Sequence, residues 1–239
     1  CIRDRIYCDM KYFVMEESLD KKIVGSDFPQ AYRFIKGYNE DASNALFSLY
    51  KYKDTFPDYV PNLDGVMLAG YAKLTDFVSN GFSGSLCILS PKAKAILEQY
   101  NLCPHQFYSL GLYKKEVKYD YFLLKLVSNY SDFVDYEKTS FREYDITSGY
   151  KSYPFFVKSK EEFWERRQKI KAEKGISWGI WGDKLVMNKD FNCELDFFAI
   201  SILDANTYVS ERLKNAIESA GLTGWEFSPA TNLIVENCH

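Results

Sequence analysis

The chain nearly repeats itself at a spacing of 120 residues, and this constrains its fold more than any other feature. Residues 90–107 read SPKAKAILEQYNLCPHQF and residues 210–227 read SERLKNAIESAGLTGWEF. Without a gap, Ser90, Lys94, Glu98, Leu102 and Phe107 fall opposite Ser210, Lys214, Glu218, Leu222 and Phe227. Each copy opens on a serine suited to accept a hydrogen bond from an otherwise orphaned amide of a first helical turn. Pro91 takes the first helical position of the first copy, where a missing N–H costs nothing. Each copy closes on a residue that tolerates a left-handed C-cap, Asn101 or Gly221. Between those stops Ala93, Ile96, Leu97 and Tyr100 match Leu213, Ala216, Ile217 and Ala220, the stripe of a helix lying on a core. Two units of strand, capped helix, turn and strand are therefore expected.

Around those units the text is mostly strand. An opening strand or pair of strands is expected over residues 6–15, followed by an ambiguous stretch at 22–37. Asp41 caps an expected helix with Ala42, Ala45, Leu46, Leu49 and Tyr50 on one face. Residues 65–70 and 86–89 are short apolar strands, and 119–127 has the continuous apolar character of a central strand. Residues 132–136 and 141–146 alternate like strands with one wet face. Ser159 begins a capping box whose Glu162 can return a bond to the cap amide. The helix that follows carries Phe163, Trp164, Arg167 and Ile170 on one side and stops at Gly175. WGIWGD at 178–183 reads as a turn-rich link into 184–188, and 197–203 reads as a buried strand. Strands outnumber helices about three to one, which favours an α+β fold with largely antiparallel sheet over a doubly wound one. The chain is expected to form a single domain over 1–239. A weak subdomain boundary falls near 151–160, and the repeat-containing part, 64–239, is separable from 1–63.

The net charge of −3 argues against general attraction to nucleic acid or to anionic membrane. No run of about 18 apolar residues points to a membrane span. The chain starts at Cys1 without a Met, and the charged segment after it argues against a lipidated tether. Cysteines stand at 1, 8, 87, 103, 193 and 238 without any CxxC pair, so reduced thiols and a cytoplasmic setting are expected. Nineteen Tyr and eighteen Phe bring the aromatic share to 17%, which fits strand propensity and also fits a sticky recognition surface.

Catalytic patterns are scarce. His105 and His239 are the only histidines. Cys103 with His105 supplies two ligands where a structural zinc site needs four. Ser83 in GFSGS misses the G-x-S-x-G elbow by one position. No phosphate-cradling glycine loop is present. Asp132, Asp135 and Glu137 form the densest acidic group. A strand there would put Asp135 and Glu137 on one face, as paired-acid chemistry requires; a solvated strand face with Lys138 nearby is the favoured explanation. No cofactor and no metal is expected. Trp178 and Trp181, beside glycines and Asp183, would serve as an aromatic anchor or as the lid of a core.

The strand followed by Ser-x-x-h-x-x-h-h and then Leu-Thr-Gly-x-Glu-Phe carries a resemblance. It is found in YVSERLKNAIESAGLTGWEFSPA at 208–230 and, more loosely, in CILSPKAKAILEQYNLCPHQFYSL at 87–110. With DFVDYEKTSF at 132–141, this arrangement resembles immunity protein family 11 of bacterial polymorphic toxin systems, once described only as a domain of unknown function. The likeness covers about residues 64–230, the first 60 residues adding little, and it departs from the family in WGIWGD and in aromatic content. The resemblance implies a non-enzymatic cytoplasmic protein that binds and neutralises a cognate protein toxin, with no catalytic residues to carry over. Under that reading Trp178, Trp181 and Asp183 are the first candidates for the partner-binding surface, and Asp132, Asp135 and Glu137 the second. The alternatives are an aromatic-rich binding module for sugar or peptide, and a hydrolase using carboxylates.

Overall fold

A computed structural model describes residues 11–82, 86–200 and 202–235 of the chain. Cys1, Cys8, Ser83, Cys238, His239 and the first half of the expected opening strand lie outside the described residues.

Three sheets organise the molecule. The largest has the order β2-β3-β6-β7-β5-β4, with β2 at Ala31–Phe34, β3 at Asp64–Leu68, β4 at Phe77–Val78, β5 at Leu86–Leu89, β6 at His105–Lys114 and β7 at Val117–Leu126. The second has the order β10-β11-β1-β12, with β1 at Tyr12–Glu17, β10 at Phe197–Ala199, β11 at Thr207–Ser210 and β12 at Trp225–Pro229. The third joins β8 (Ser140–Asp145), β9 (Trp178–Met187) and β13 (Leu233–Val235) in the order β13-β9-β8. Four α-helices complete the described residues: α1 (Lys21–Val24), α2 (Pro91–Leu97), α3 (Lys160–Lys174) and α4 (Glu211–Ser219). All pairings between these strands are antiparallel except β3 with β6 and β9 with β13, so the fold is α+β with largely antiparallel sheet, as the pattern predicts.

The two repeat units take the expected form. Ser90 accepts from the Ala93 amide and Ser210 from the Leu213 amide, each capping its helix. Along residues 91–100 and 211–220 the sequence of exposed, half-buried and buried positions is the same, with Ala93 and Leu97 opposite Leu213 and Ile217 at the buried places. The stop signals differ. Gly221 adopts φ +64° beyond α4, whereas α2 ends in right-handed backbone at Glu98 and Asn101 takes no positive φ.

The likeness extends to the whole sheet around each helix. In the first, Leu124 of β7 lies between Cys87 of β5 and Phe107 of β6. In the second, Met15 of β1 lies between Thr207 of β11 and Phe227 of β12, partners displaced by the same 120 residues. The edge strands obey the rule too: Phe77 faces Leu89, and Phe197 faces Val209. Lys94 of α2 rests 5.1 Å above the Phe122 ring, and Lys214 of α4 rests 5.1 Å above Phe13. Thus β4-β5-β7-β6 and β10-β11-β1-β12 are equivalent four-stranded layers, each with one helix.

Chain order makes this equivalence unusual. β1 precedes the first unit yet completes the second sheet, and β7 precedes the second unit yet completes the first. The two halves have exchanged central strands. Their helices lie against each other, with the Lys92 ammonium donating to the Ala220 carbonyl at 2.5 Å.

A pair of aspartates locks the exchange. Asp76 accepts from the Ser90 hydroxyl at 2.7 Å within its own unit and from the Thr223 amide at 3.0 Å in the other. Asp196 accepts from the Ser210 hydroxyl and, across the units, from the Asn101 amide at 2.9 Å. Asp196 is fully buried and also holds Arg212 through both carboxylate oxygens.

Five local expectations are corrected. The segment opened by Asp41 contains a 3-10 helix, Leu46–Lys51, that starts after Ala45 without a side-chain cap; Leu46, Ser48 and Leu49 are its buried residues. Residues 132–136 form no strand: Asp132 belongs to the 3-10 helix Tyr130–Phe133, and the chain then turns through 136–138. WGIWGD lies wholly within β9, and the strand at 197–203 stops at Ala199. Glu162 accepts from the Lys158 amide, one residue before the cap predicted for it.

Removing Asp196 would leave the buried Ser210 hydroxyl and the Asn101 amide without their acceptor and the exposed Arg212 without its counter-charge, whereas Asp76 is half-buried and its partners reach water. Asp196→Ala is expected to cost about 3 kcal/mol and Asp76→Ala about 1 kcal/mol in urea unfolding. Equal losses would show that the two locks do not differ as their burial implies.

Candidate partner-binding face

The β8–β9 hairpin-like pair presents one face to α3 and the other outward. Register places Arg142 beside Trp181 and Tyr144 beside Gly179 on the outer side. A Cβ at position 179 would stand 2.7 Å from the Tyr144 hydroxyl oxygen and 2.8 Å from its ring carbons, so glycine there admits the tyrosine ring. Tyr144 then stacks on Trp181 with centroids 4.0 Å apart and 27° between planes. A register irregularity beside Phe141 brings Asp183 onto the Arg142 guanidinium, which also donates to the Ser152 carbonyl at 3.0 Å. With Lys151 these groups line an open cleft of about 300 Å³.

The opposite face is bonded to the helix. Ile180 is fully buried, and Glu143 receives Arg166 and Lys174 of α3, both at 2.9 Å. Trp178 lies on this side, with the Tyr150 ring at 5.3 Å and the Lys174 ammonium 4.4 Å from its centroid. Trp178 and Trp181 therefore point to opposite sides of β9. The connection from β8 to α3 runs back along β8, bridging at Lys151 with Tyr144 and at Phe155 with Phe141. From this connection and the α3–β9 turn, Tyr153 and Ile176 stand 93% exposed, beside exposed Ile146, Tyr150 and Phe156. Tyr150, Tyr153 and Phe156 are thus three exposed aromatics in a single connection.

A model of the immunity protein family (Imm11) matches residues 26–232. The chain belongs to the Imm11 family. A comparison with curated proteins returned no match. The matched span begins well before residue 64, so much of the segment expected to add little lies inside the family region.

The Imm11 chain keeps its acidic group on the surface. Asp132 pairs with Lys160 at the start of α3, Asp135 accepts from the Lys138 amide at 3.2 Å, and Glu137 is exposed in the turn. The turn at 136–138 replaces the shared strand face that paired-acid chemistry would have used. His105 is half-buried at the start of β6, its Nδ1 2.9 Å from the Cys103 carbonyl oxygen and its ring edge-on to Phe107. Burial pushes the Cys87 and Cys103 thiols up to about 12, far from the thiolate that nucleophilic chemistry requires. Among the described residues no three His, Cys, Asp or Glu side chains are grouped to hold a metal, and no helix is long and apolar enough to cross a membrane.

Tyr144, Arg142 and the exposed 146–156 connection escaped the reading of the sequence, although Tyr-Lys-Ser-Tyr-Pro-Phe-Phe at 150–156 is a visible aromatic run.

Burial alone would raise Glu143, but hydrogen bonds from Lys174 and Arg166 outweigh it and hold the carboxyl below its ordinary 4.5. A depressed carboxylate contributes stability above its unfolded value and loses that contribution as pH falls through the folded one. Thermal melts from pH 7 to pH 3 should therefore drop more steeply for wild type than for Glu143→Gln. Parallel curves would remove Glu143 as the acid-sensitive link between β8 and α3.

Proposed function

We propose that this Imm11 protein is a non-enzymatic inhibitor that binds a cognate protein toxin in the cytoplasm and blocks it by contact. The observation that carries the reading is the outer face of β8 and β9, where Trp181 stacked on Tyr144 lines an open cleft with Arg142, Lys151 and Asp183. Rigid, half-exposed aromatic and arginine groups of this kind dominate binding energy at protein interfaces. Trp181 and Asp183 are assigned to the contact, Trp178 to its support from the α3 side. Asp132, Asp135 and Glu137 belong to a secondary rim.

Charge adds the partner's character. Residues 138–174 hold ten Lys and Arg against six Asp and Glu, net +4 in a chain of net −3, so the remainder carries −7. A positive arm on a negative body favours an acidic patch on the toxin facing the arm, with a salt-sensitive association rate.

Titration against the toxin encoded beside the gene tests the reading. Trp181→Ala is expected to weaken binding about thirtyfold, as a hot-spot residue does, and Asp132→Asn by less than about threefold, as a rim charge does. Absence of any complex at micromolar concentration would overturn the inhibitor reading. Full affinity in Trp181→Ala would move the contact elsewhere.

A further inference from the structure

A second concavity lies between the 3-10 helix Leu46–Lys51 with the loop after it and the end of the β5–β7 pair. Its volume is about 430 Å³, within the range of small-ligand sites. Leu49, Tyr50, Leu86, Leu126 and Ile202 supply an apolar wall, and Lys53 and Asp54 stand exposed at the mouth. Into this wall projects Lys125, only 3% exposed. Its ammonium donates to the Tyr52 carbonyl at 2.5 Å and has the Phe56 ring centroid at 5.9 Å. Among the described residues no carboxylate lies within ion-pair distance of it.

Three physical points set this lysine apart from a merely structural one. A buried ammonium without a counter-charge is costly. The fold does not require it, because the equivalent position of the exchanged strand β1 is Glu16, which is exposed. The rim also carries strain: Ile202 is held at φ +84°, where a β-branched side chain is a true outlier.

We infer that this cleft binds a small carboxylic acid on an apolar stem, with the carboxylate on Lys125 and the stem against Leu49, Leu86 and Leu126. The ligand class follows from one buried cation set among Leu49, Leu86, Leu126 and Ile202, with Lys53 and Asp54 exposed at the mouth. Burial pushes Lys125 below the ordinary lysine value, with Asp54 partly opposing the shift, and a bound carboxylate would stabilise its charged form.

The test is a titration of the full chain with octanoate and with octanamide, followed by calorimetry and amide chemical shifts. Octanoate is expected to saturate one site, shifting Leu86 and Leu126, and octanamide to bind at least about tenfold more weakly. Lys125→Gln retains a donor for the Tyr52 carbonyl and removes the charge; it should lose about tenfold in octanoate affinity at unchanged melting temperature. Lys125→Met, which replaces a buried charge by an apolar group, should lose the preference for acid over amide while remaining folded. No saturation by octanoate at about 5 mM, equal binding of acid and amide by the wild type, or unaltered octanoate affinity in both variants would overturn the assignment.

Discussion

The carboxylate of Asp196 is the joint on which the architecture turns. It sits without water contact and is met by Arg212, by the N-cap hydroxyl of α4 and by the backbone amide of Asn101 from the other unit. Four charge-assisted or buried donors on two oxygens leave little lone-pair capacity unused, which is the condition under which a buried charge fixes geometry without destabilising it. Because one partner belongs to the opposite unit, α4 cannot be capped in its native way unless α2 and its turn are already in place. Asp76 imposes the mirrored demand through Thr223. The exchange of β1 and β7 adds a stronger version of the same coupling. The second layer has no centre until β1 arrives from before the first unit, whereas the first is built from the contiguous residues 77–126. Local opening of the first unit is therefore expected to expose the second, and we propose that the two unfold as one cooperative body.

Equivalent scaffolds leave differences to the insertions. Between β1 and β4 the chain spends residues 18–76 on α1, two further strands and the 3-10 helix that walls in Lys125. Between β7 and β10 it spends residues 127–196 on the β8–α3–β9 arm. Each insertion leaves the frame at the end of an exchanged central strand. The frame thus carries the packing, and chemistry accumulates where the chain departs from it. Connections on a rigid scaffold tolerate change in this way because their backbone lies at the surface.

The repeat helices were legible because capping and a 3.6-residue stripe act within one turn, so Ser90, Ser210 and their buried partners could be read from neighbours alone. The rest of the duplication was present in the text as well. Asp76-Phe77 and Asp196-Phe197 keep the same spacing as the serines, and Tyr12-Phe13 and Tyr121-Phe122 mark the central strands. Their meaning depended on knowing that β1 and β7 change places, and no local rule encodes that. The glycines of WGIWGD misled for a related reason. Glycine signals a turn when the chain itself needs the freedom, but Gly179 is there for the ring of Tyr144, a partner 35 residues earlier. Residues 132–136 failed differently: two aromatics and a valine in five positions imitate alternation, while Tyr136 turns inward to pack on Phe141 and Phe163. The i, i+3 spacing of Leu46 and Leu49 fits a 3-10 turn as well as the longer helix it suggested.

The opposite orientation of the two tryptophans shows how one strand can serve stability and recognition together. Trp178 shares its side with Ile180 and Glu143, where Lys174 and Arg166 tie α3 down. Trp181 shares its side with Tyr144 and Arg142, where the half-buried stack lines the open cleft. A binding residue is most effective when its rotamer is fixed before the partner arrives, since less side-chain entropy is then lost on contact. On β9 that fixing comes from both directions. The stack on Tyr144 holds the ring of Trp181 in its plane, and the anchored inner face holds the backbone that carries it. The charged clasp between Arg142 and Asp183 then closes the end of the cleft. A half-exposed anchor in a chain otherwise rich in buried aromatics is thereby kept rigid by the helix bonded to the opposite face of its strand pair.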